Sequence, residues 1–449
     1  MTGNKEKLNL KTIYLLTVVA ALGGLLFGYD TAVISGAIGY LQIRFELSAV
    51  MTGWAASSAI IGCIFGALFA GGLSDRFGRK KILFLAAVLF GVSAVGSAIP
   101  QNITQFTIAR FIGGVGVGTA SILSPLYITE MAPASIRGKL VSVYQLAIVV
   151  GILLIFFVNM LVQGMGDEIW NINTGWRYML GSETIPAVLF LAAIMFIPES
   201  PRWLMKENKD SQALDILKKI HTPEKAKEIS REIKSALQEQ KGTFKELLTG
   251  RYRKTLLIGI LLAVFSQVQG INAIMYYAPV IFAGIGSESA YGQTVIIGLI
   301  NLLFTLVAIW LVDKSGRRNL LLAGGVGMFL SLALIGTAFY FSMGGYILMI
   351  FILSYVACFA ASFGPVTWVY ISEIFPLKMR GMAISAATLA LWSSVYLVTQ
   401  FFPVLLEGLG AAFTFWIFCA MSVLGFIFVF MNVYETKGKS LEEIERQHL

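Results

Sequence analysis

Between Ile13 and Ile34 the chain places a single charged side chain, Asp30, in a run that is otherwise apolar, small or hydroxyl-bearing. About 20 such residues, coiled as a helix, match the ~30 Å hydrocarbon core of a bilayer. Twelve runs of this kind fit the hydropathy, at about 12–36, 51–73, 82–100, 104–129, 139–163, 177–197, 253–284, 292–313, 319–342, 346–374, 382–405 and 411–434. Composition agrees: of 449 residues, 57% are hydrophobic and 13% charged, where a soluble domain carries about 25% charged residues. That excludes a soluble enzyme, a disordered chain and a nucleic-acid-binding domain. Lys5, Lys7 and Lys11 ahead of the first run resemble the start of a signal peptide, but the run is too long for a cleaved one and reads as the first span.

The basic residues choose sides. Loops after even-numbered spans carry Arg76, Arg79, Lys80 and Lys81, then Arg137 and Lys139, then Lys314, Arg317 and Arg318, then Lys378 and Arg380; loops after odd-numbered spans hold Arg44 and little else that is basic. The positive-inside bias puts these loops and both termini in the cytoplasm. It also accounts for the net charge of +9 without nucleic acid.

The motifs occur twice. Asp75-Arg76-Phe77-Gly78-Arg79 is echoed by Asp313-Lys314-Ser315-Gly316-Arg317, and Glu130, leading to Arg137-Gly138, by Glu373, leading to Arg380-Gly381. Pro198-Glu199-Ser200 is echoed by Tyr434-Glu435-Thr436. The copies keep their order and stand roughly 240 residues apart, which marks duplication of a six-span unit. We therefore expect an all-α membrane protein of twelve transmembrane helices in two pseudo-symmetric bundles, a known plan for secondary transporters. The units are 1–197 and 253–434, with a cytoplasmic tail over 435–449. Between the bundles, 198–252 reads as a cytoplasmic helical linker: Ala213, Leu214, Leu217 and Ile220 fall at helical spacing, and Thr222-Pro223 starts another helix.

The repeated acids and arginines sit at cytoplasmic span ends. Asp75, Arg79, Glu130, Arg137 and Glu199 are expected to form one cluster, with Asp313, Arg317, Glu373, Arg380 and Glu435 its twin. Bridging spans and halves, such pairs would act as a cytoplasmic gate.

Three ionisable residues within spans are sharper signals, because charge in lipid is costly and marks function by default. Asp30 in span one, Arg110 in span four and Glu183 in span six come out at similar depth. They suit a proton-coupling group. An uncharged set comprises Gln145, Gln267, Gln269, Asn272 and Asn301, with Phe27, Tyr276, Tyr277, Trp368 and Trp392 as aromatic partners. Amides donate and accept, as solute hydroxyls require, and aromatic faces suit the apolar face of a sugar ring.

Other chemistry finds little support. Cys63, Cys358 and Cys419 lie in apolar runs, and His221 and His448 in polar segments, so neither metal nor cofactor is expected. Gly113, Gly114, Gly116 and Gly118 mimic a dinucleotide fingerprint but follow no strand, and suit close helix packing instead. Gly438-Lys439-Ser440 lacks the upstream glycine of a phosphate loop, so transport runs on a gradient. Gly364-Pro365 is expected to kink span ten beside Trp368.

The motifs Asp75 to Lys80, Pro198-Glu199-Ser200-Pro201-Arg202-Trp203, Gln267 to Asn272 and Tyr434-Glu435-Thr436-Lys437-Gly438 resemble the sugar porter branch of the major facilitator superfamily over nearly the whole chain. Within it the chain looks most like bacterial proton-coupled pentose and hexose symporters of the D-xylose and L-arabinose type. The resemblance implies alternating access to a central monosaccharide site. It matches Asp30 to the proton-coupling aspartate, Arg110 to its partner and Glu183 to a further acid. It matches Gln145, Gln267, Asn272, Tyr276, Asn301, Trp368 and Trp392 to sugar-site positions. Many members carry two consecutive glutamines where this chain has Ser266 and Gln267, and the xylose type has glutamines in place of Ile152 and Leu391; the arabinose-type pattern is nearer.

The expected activity is proton-coupled symport of a pentose or hexose across the plasma membrane by a monomer. The alternatives are a passive uniporter and a non-transporting sugar receptor.

Overall fold

A computed structural model describes residues 8–238, 244–248, 252–284, 289–375, 379–438 and 443; Lys5, Lys7, Lys378, Lys439 and His448 of the sequence argument lie outside them. The first four spans are single helices, α1 (Leu10–Arg44), α2 (Ala49–Phe77), α3 (Arg79–Ala98) and α4 (Ile103–Met131), and α5 (Arg137–Gln163) follows. Span six is composite: α6 (Glu168–Trp170), a π-helical turn over Asn171–Gly175, α7 (Trp176–Gly181) and α8 (Thr184–Phe196). Its start is earlier than hydropathy suggests because Asp167 caps it, accepting from the Trp170 amide at 2.8 Å.

The linker holds α9 (Pro201–Lys206), α10 (Asp210–Ile220), α11 (Pro223–Gln238) and α12 (Phe244–Leu248). It is docked rather than loose. Trp203, Leu204, Met205, Ala213, Leu217 and Ala226 make a small core of their own. Trp203 Nε1 donates to the Asp75 carbonyl at 3.2 Å, and the Asn9 amide donates to the Ile220 carbonyl at 3.1 Å.

In the second bundle, span seven is α13 (Tyr252–Val268) plus α14 (Ile271–Ala283), followed by α15 (Ala290–Ser315) and α16 (Arg317–Tyr340). The break in span seven sits at Gly270, left-handed at φ 94° and packed so tightly on Phe418 that a Cβ would collide with the ring. Span ten is α17 (Tyr346–Ala361) plus α18 (Phe363–Ile374), broken at Ser362 (φ −137°, ψ −92°). The expected kink at Gly364-Pro365 is therefore two residues early. Pro365 falls in the first turn of α18, where a missing N–H breaks no intrahelical bond.

The last helix, α19 (Arg380–Asn432), runs 53 residues. At about 1.5 Å per residue it would reach roughly 80 Å, over twice the ~30 Å of hydrocarbon. Gly410 turns it midway (φ 79°, ψ 166°), giving two crossings joined with hardly any loop. With the other ten apolar segments among the described residues, this agrees with the twelve-span reading.

In the first bundle α1 packs on α4 and α5, α2 on α4, and α3 on α4 and α8; in the second α13 and α16 pack on α19, and α17 on α15 and α16. The bundles meet along α1/α14, α2/α19 and α5/α15. Gly114 and Gly118 of α4 lie directly against the Ala59 and Cys63 carbonyls of α2, so this glycine run serves helix packing.

Candidate functional site

The intramembrane charges come together. Arg110, near the start of α4, ion-pairs through Nη1 with Asp30 Oδ1, and its Nη2 donates to the Asp30 carbonyl at 2.8 Å. Both side chains are buried, at 2% and 0% exposure. Glu183, at the α7–α8 junction, is also buried and carboxyl-to-carboxyl with Asp30. The backbone explains the meeting: α1 packs on α4 and α8, and Tyr29, next to Asp30, shares a 2.8 Å hydrogen bond with Ser182, next to Glu183. Two carboxyls and one guanidinium leave the trio one negative charge in excess when both acids are ionised.

The uncharged set lies on both sides of the bundle interface. Phe27 of α1 and Trp392 of α19 face each other across it, ring centroids 5.6 Å apart. Asn272 Nδ2 donates to Gln267 Oε1 at 2.6 Å across the Gly270 break, and Gln267 Nε2 donates to Ser266 Oγ at 3.0 Å. Tyr276, one turn further along α14, lies within electrostatic reach of Asp30 and Arg110. Gln145 on α5 and Trp368 on α18 are half-buried, and Asn301 on α15 is buried.

Gln269 departs from this group. It is fully buried, its side-chain amide donating to the Phe265 carbonyl at 2.5 Å and accepting from Ser422 at 2.9 Å, while Tyr355 donates to its backbone carbonyl at 2.9 Å. It staples the broken helix to α17 and α19. Tyr277 likewise turns to its own bundle, donating to the Thr399 carbonyl at 3.2 Å.

The two arginine motifs have closely matching geometry. Arg79 grips Glu130 with two bonds (3.0 and 3.1 Å) and pairs with Asp75 at 3.0 Å. Arg317 grips Glu373 (3.1 and 2.8 Å) and pairs with Asp313 at 3.1 Å. Glu199 accepts from the Arg79 and Lys80 amides at the start of α3, and Glu435 from the Arg317 and Arg318 amides at the start of α16. Each carboxylate thus meets the positive end of a helix dipole. The motif glycines follow from this: Gly78 (φ 102°) and Gly316 (φ 85°) are left-handed, and a Cβ on either would collide with the capping carboxylate.

Two expected members stay outside. Arg137 stands exposed at the start of α5, without an ion pair among the described residues, and Arg380 donates to the Phe375 carbonyl at 3.2–3.3 Å. The clusters also stay within their own bundles, because Glu130 and Glu373 belong to the bundles of the arginines they bind. The expected bridge between halves at this end is not made by these pairs.

Bonds between bundles appear at the opposite end. Ser57 Oγ donates to Gln400 Oε1 at 2.8 Å, Gln400 Nε2 to the Val50 carbonyl at 3.0 Å, and Tyr291 OH to the Gly36 carbonyl at 2.7 Å. Tyr291 also stacks on Tyr40. Sequence reasoning missed this group. Its only signal was polar side chains inside apolar runs.

The comparisons agree with this architecture. The family model described as sugar (and other) transporter matches residues 16–448. The arabinose-proton symporter of Bacillus subtilis is 47% identical over 438 residues, covering 97% of this chain and 94% of that protein. The D-xylose-proton symporter of Escherichia coli K12 is 44% identical over 471 residues, covering 97% and 96%. Among solved structures, the inward-open conformation of the E. coli xylose transporter superposes with a TM-score of 0.88 (97% of this chain, 100% of that one). The same transporter bound to 6-bromo-6-deoxy-D-glucose superposes with 0.84 (98% and 100%), both at 44% identity. The chain is a multi-pass membrane protein of the major facilitator fold and belongs to the sugar transporter family.

Proposed function

We propose that the chain imports a pentose or hexose together with a proton, by alternating access between its two bundles. The observation that carries this reading is the buried Asp30–Arg110 pair with Glu183 against it, a titratable group inside a bundle. Protonating Asp30 weakens its hold on Arg110 and frees α1 to move against α4. The outer end then opens and sugar binds between the bundles. Closure, inward opening and release of sugar and proton complete the cycle.

The uncharged set supports a neutral polyhydroxylated solute. Gln267 and Asn272 offer amide groups beside the break in span seven, with the Phe27–Trp392 aromatic pair at the interface. The side chains of Ile152 and Leu391 can form no hydrogen bonds, which favours an arabinose-like over a xylose-like set of contacts. The relatives named for arabinose and xylose symport support the pentose class.

The basic end is cytoplasmic by the positive-inside bias, with both termini there and the bilayer that of the plasma membrane. The Ser57–Gln400 end then faces outside and is closed. Closure there supports an inward-facing state, in keeping with the likeness to the inward-open transporter. The protein acts as a monomer, each pair of bundles enclosing one site.

Adding sugar to proteoliposomes in weakly buffered medium tests the coupling. L-arabinose or D-xylose entry is expected to alkalinise the medium; sugar entry without a pH change would make the chain a passive uniporter. Gln267→Ala is expected to weaken sugar binding about 5- to 100-fold, since sugar hydroxyls and Asn272 lose a half-buried partner. Unchanged affinity in a calorimetric titration would remove Gln267 from the site.

A further inference from the structure

Gln400 lies about twenty residues into α19, at the end of the bundles away from the arginine motifs. It is 8% exposed, and among the described residues its side chain bonds only to the other bundle. The carbonyl accepts from Ser57 and the amino group donates to the Val50 carbonyl, so one amide spans two turns of α2. Gly53 lies between these two contacts, where a Cβ would collide with the Gln400 carbonyl. The helices therefore touch backbone to backbone at this point.

The other side of the same residue leads toward the sugar-site set. The Thr399 carbonyl, one residue back, accepts from Tyr277 of α14, whose ring packs on Phe402 with centroids 5.0 Å apart. Tyr277 adjoins Tyr276, and Asn272 lies in the first turn of the same short helix. A continuous chain of contacts thus runs from Asn272 and Tyr276 along α14, through Tyr277 to Thr399 and Gln400, and across the interface to Ser57 and Val50.

We propose that Gln400 is a positioning residue of the transport cycle: it holds the outer end closed by bridging α19 to α2, and Tyr277 ties that closure to α14. The inference rests on the transport reading for its meaning, but its physical content is an equilibrium of the empty protein. Gln400 is not one of the sugar-site set. Its two bonds are neutral, and both groups regain water when the outer end opens, so the bridge is weak enough to break every cycle. Each such bond shifts an equilibrium about fivefold.

The test uses the full chain in proteoliposomes, with its three native cysteines replaced by alanine. Ile38, buried and lining an outer groove of about 520 Å³ with Thr52 and Tyr277, is replaced by cysteine. Its labelling by a membrane-impermeant maleimide reports opening of the outer end, with no sugar present. Gln400→Ala is expected to raise the labelling rate about 5- to 30-fold, and Ser57→Ala about fivefold. Tyr277→Phe is expected to raise it too, and by less than additively when combined with Gln400→Ala. Unchanged labelling in Gln400→Ala and Ser57→Ala, with or without a lower melting temperature, would overturn the proposal and leave Gln400 a packing residue. Should Gln400→Ala fail to fold, Ser57→Ala decides alone, since it removes one hydroxyl. Strict additivity of Tyr277→Phe and Gln400→Ala would overturn the tie to α14. Failure of sugar entry with the labelling changes intact would count against the transport reading and leave this inference standing.

Discussion

Asp30→Asn is expected to abolish uphill sugar accumulation while leaving sugar exchange across the membrane running. The amide keeps the shape of the carboxyl and resembles its protonated form, so the bundles can still rock and carry sugar. It cannot lose a proton on the inner side. A proton crossing 100 mV releases about 2.3 kcal/mol, enough for roughly 50-fold accumulation. The variant should therefore fall from that ratio to unity. Counterflow of labelled sugar in vesicles without a gradient measures the exchange, and uptake under an imposed pH step measures accumulation. Uphill uptake at the normal level would remove Asp30 from the coupling mechanism.

The second large effect concerns stability. Arg110→Ala strands the Asp30 carboxylate at 0% exposure with Glu183 beside it. Removing one partner of a buried ion pair costs about 3–5 kcal/mol, because the remaining charge has neither water nor a counterion. A marked drop in thermal stability in detergent is expected. Adding Asp30→Asn should restore more than half of it, since the stranded charge is then gone. If the double variant melts no higher than Arg110→Ala alone, the arginine is holding the helices by packing rather than by charge.

The spans and the duplication were legible because lipid imposes length and polarity on every crossing segment, and the twin motifs keep their order in the chain. Asp30, Arg110 and Glu183 were legible as a group because depth can be counted along a helix. Span seven shows the limit. In an unbroken helix Gln267 and Asn272 point about 140° apart at 3.6 residues per turn, yet they are bonded at 2.6 Å. The left-handed residue at Gly270 resets the helical phase, turning Asn272 back to Gln267 and leaving Gln269 in the core. No periodicity argument carries across such a break. The bridge between the bundles was illegible for a different reason. Ser57 and Gln400 are 343 residues apart, and which polar groups of two spans meet depends on the relative position of whole bundles.

Arginines and carboxylates of the repeated motifs pair inside each bundle, and the Ser57–Gln400–Val50 and Tyr291–Gly36 contacts between bundles are neutral. Dissolved electrolyte screens exposed ions over about 8 Å at 0.15 M but barely weakens an uncharged amide contact. Closure of the Ser57–Gln400 end is thus insensitive to salinity, because no ionic pair among the described residues takes part in it.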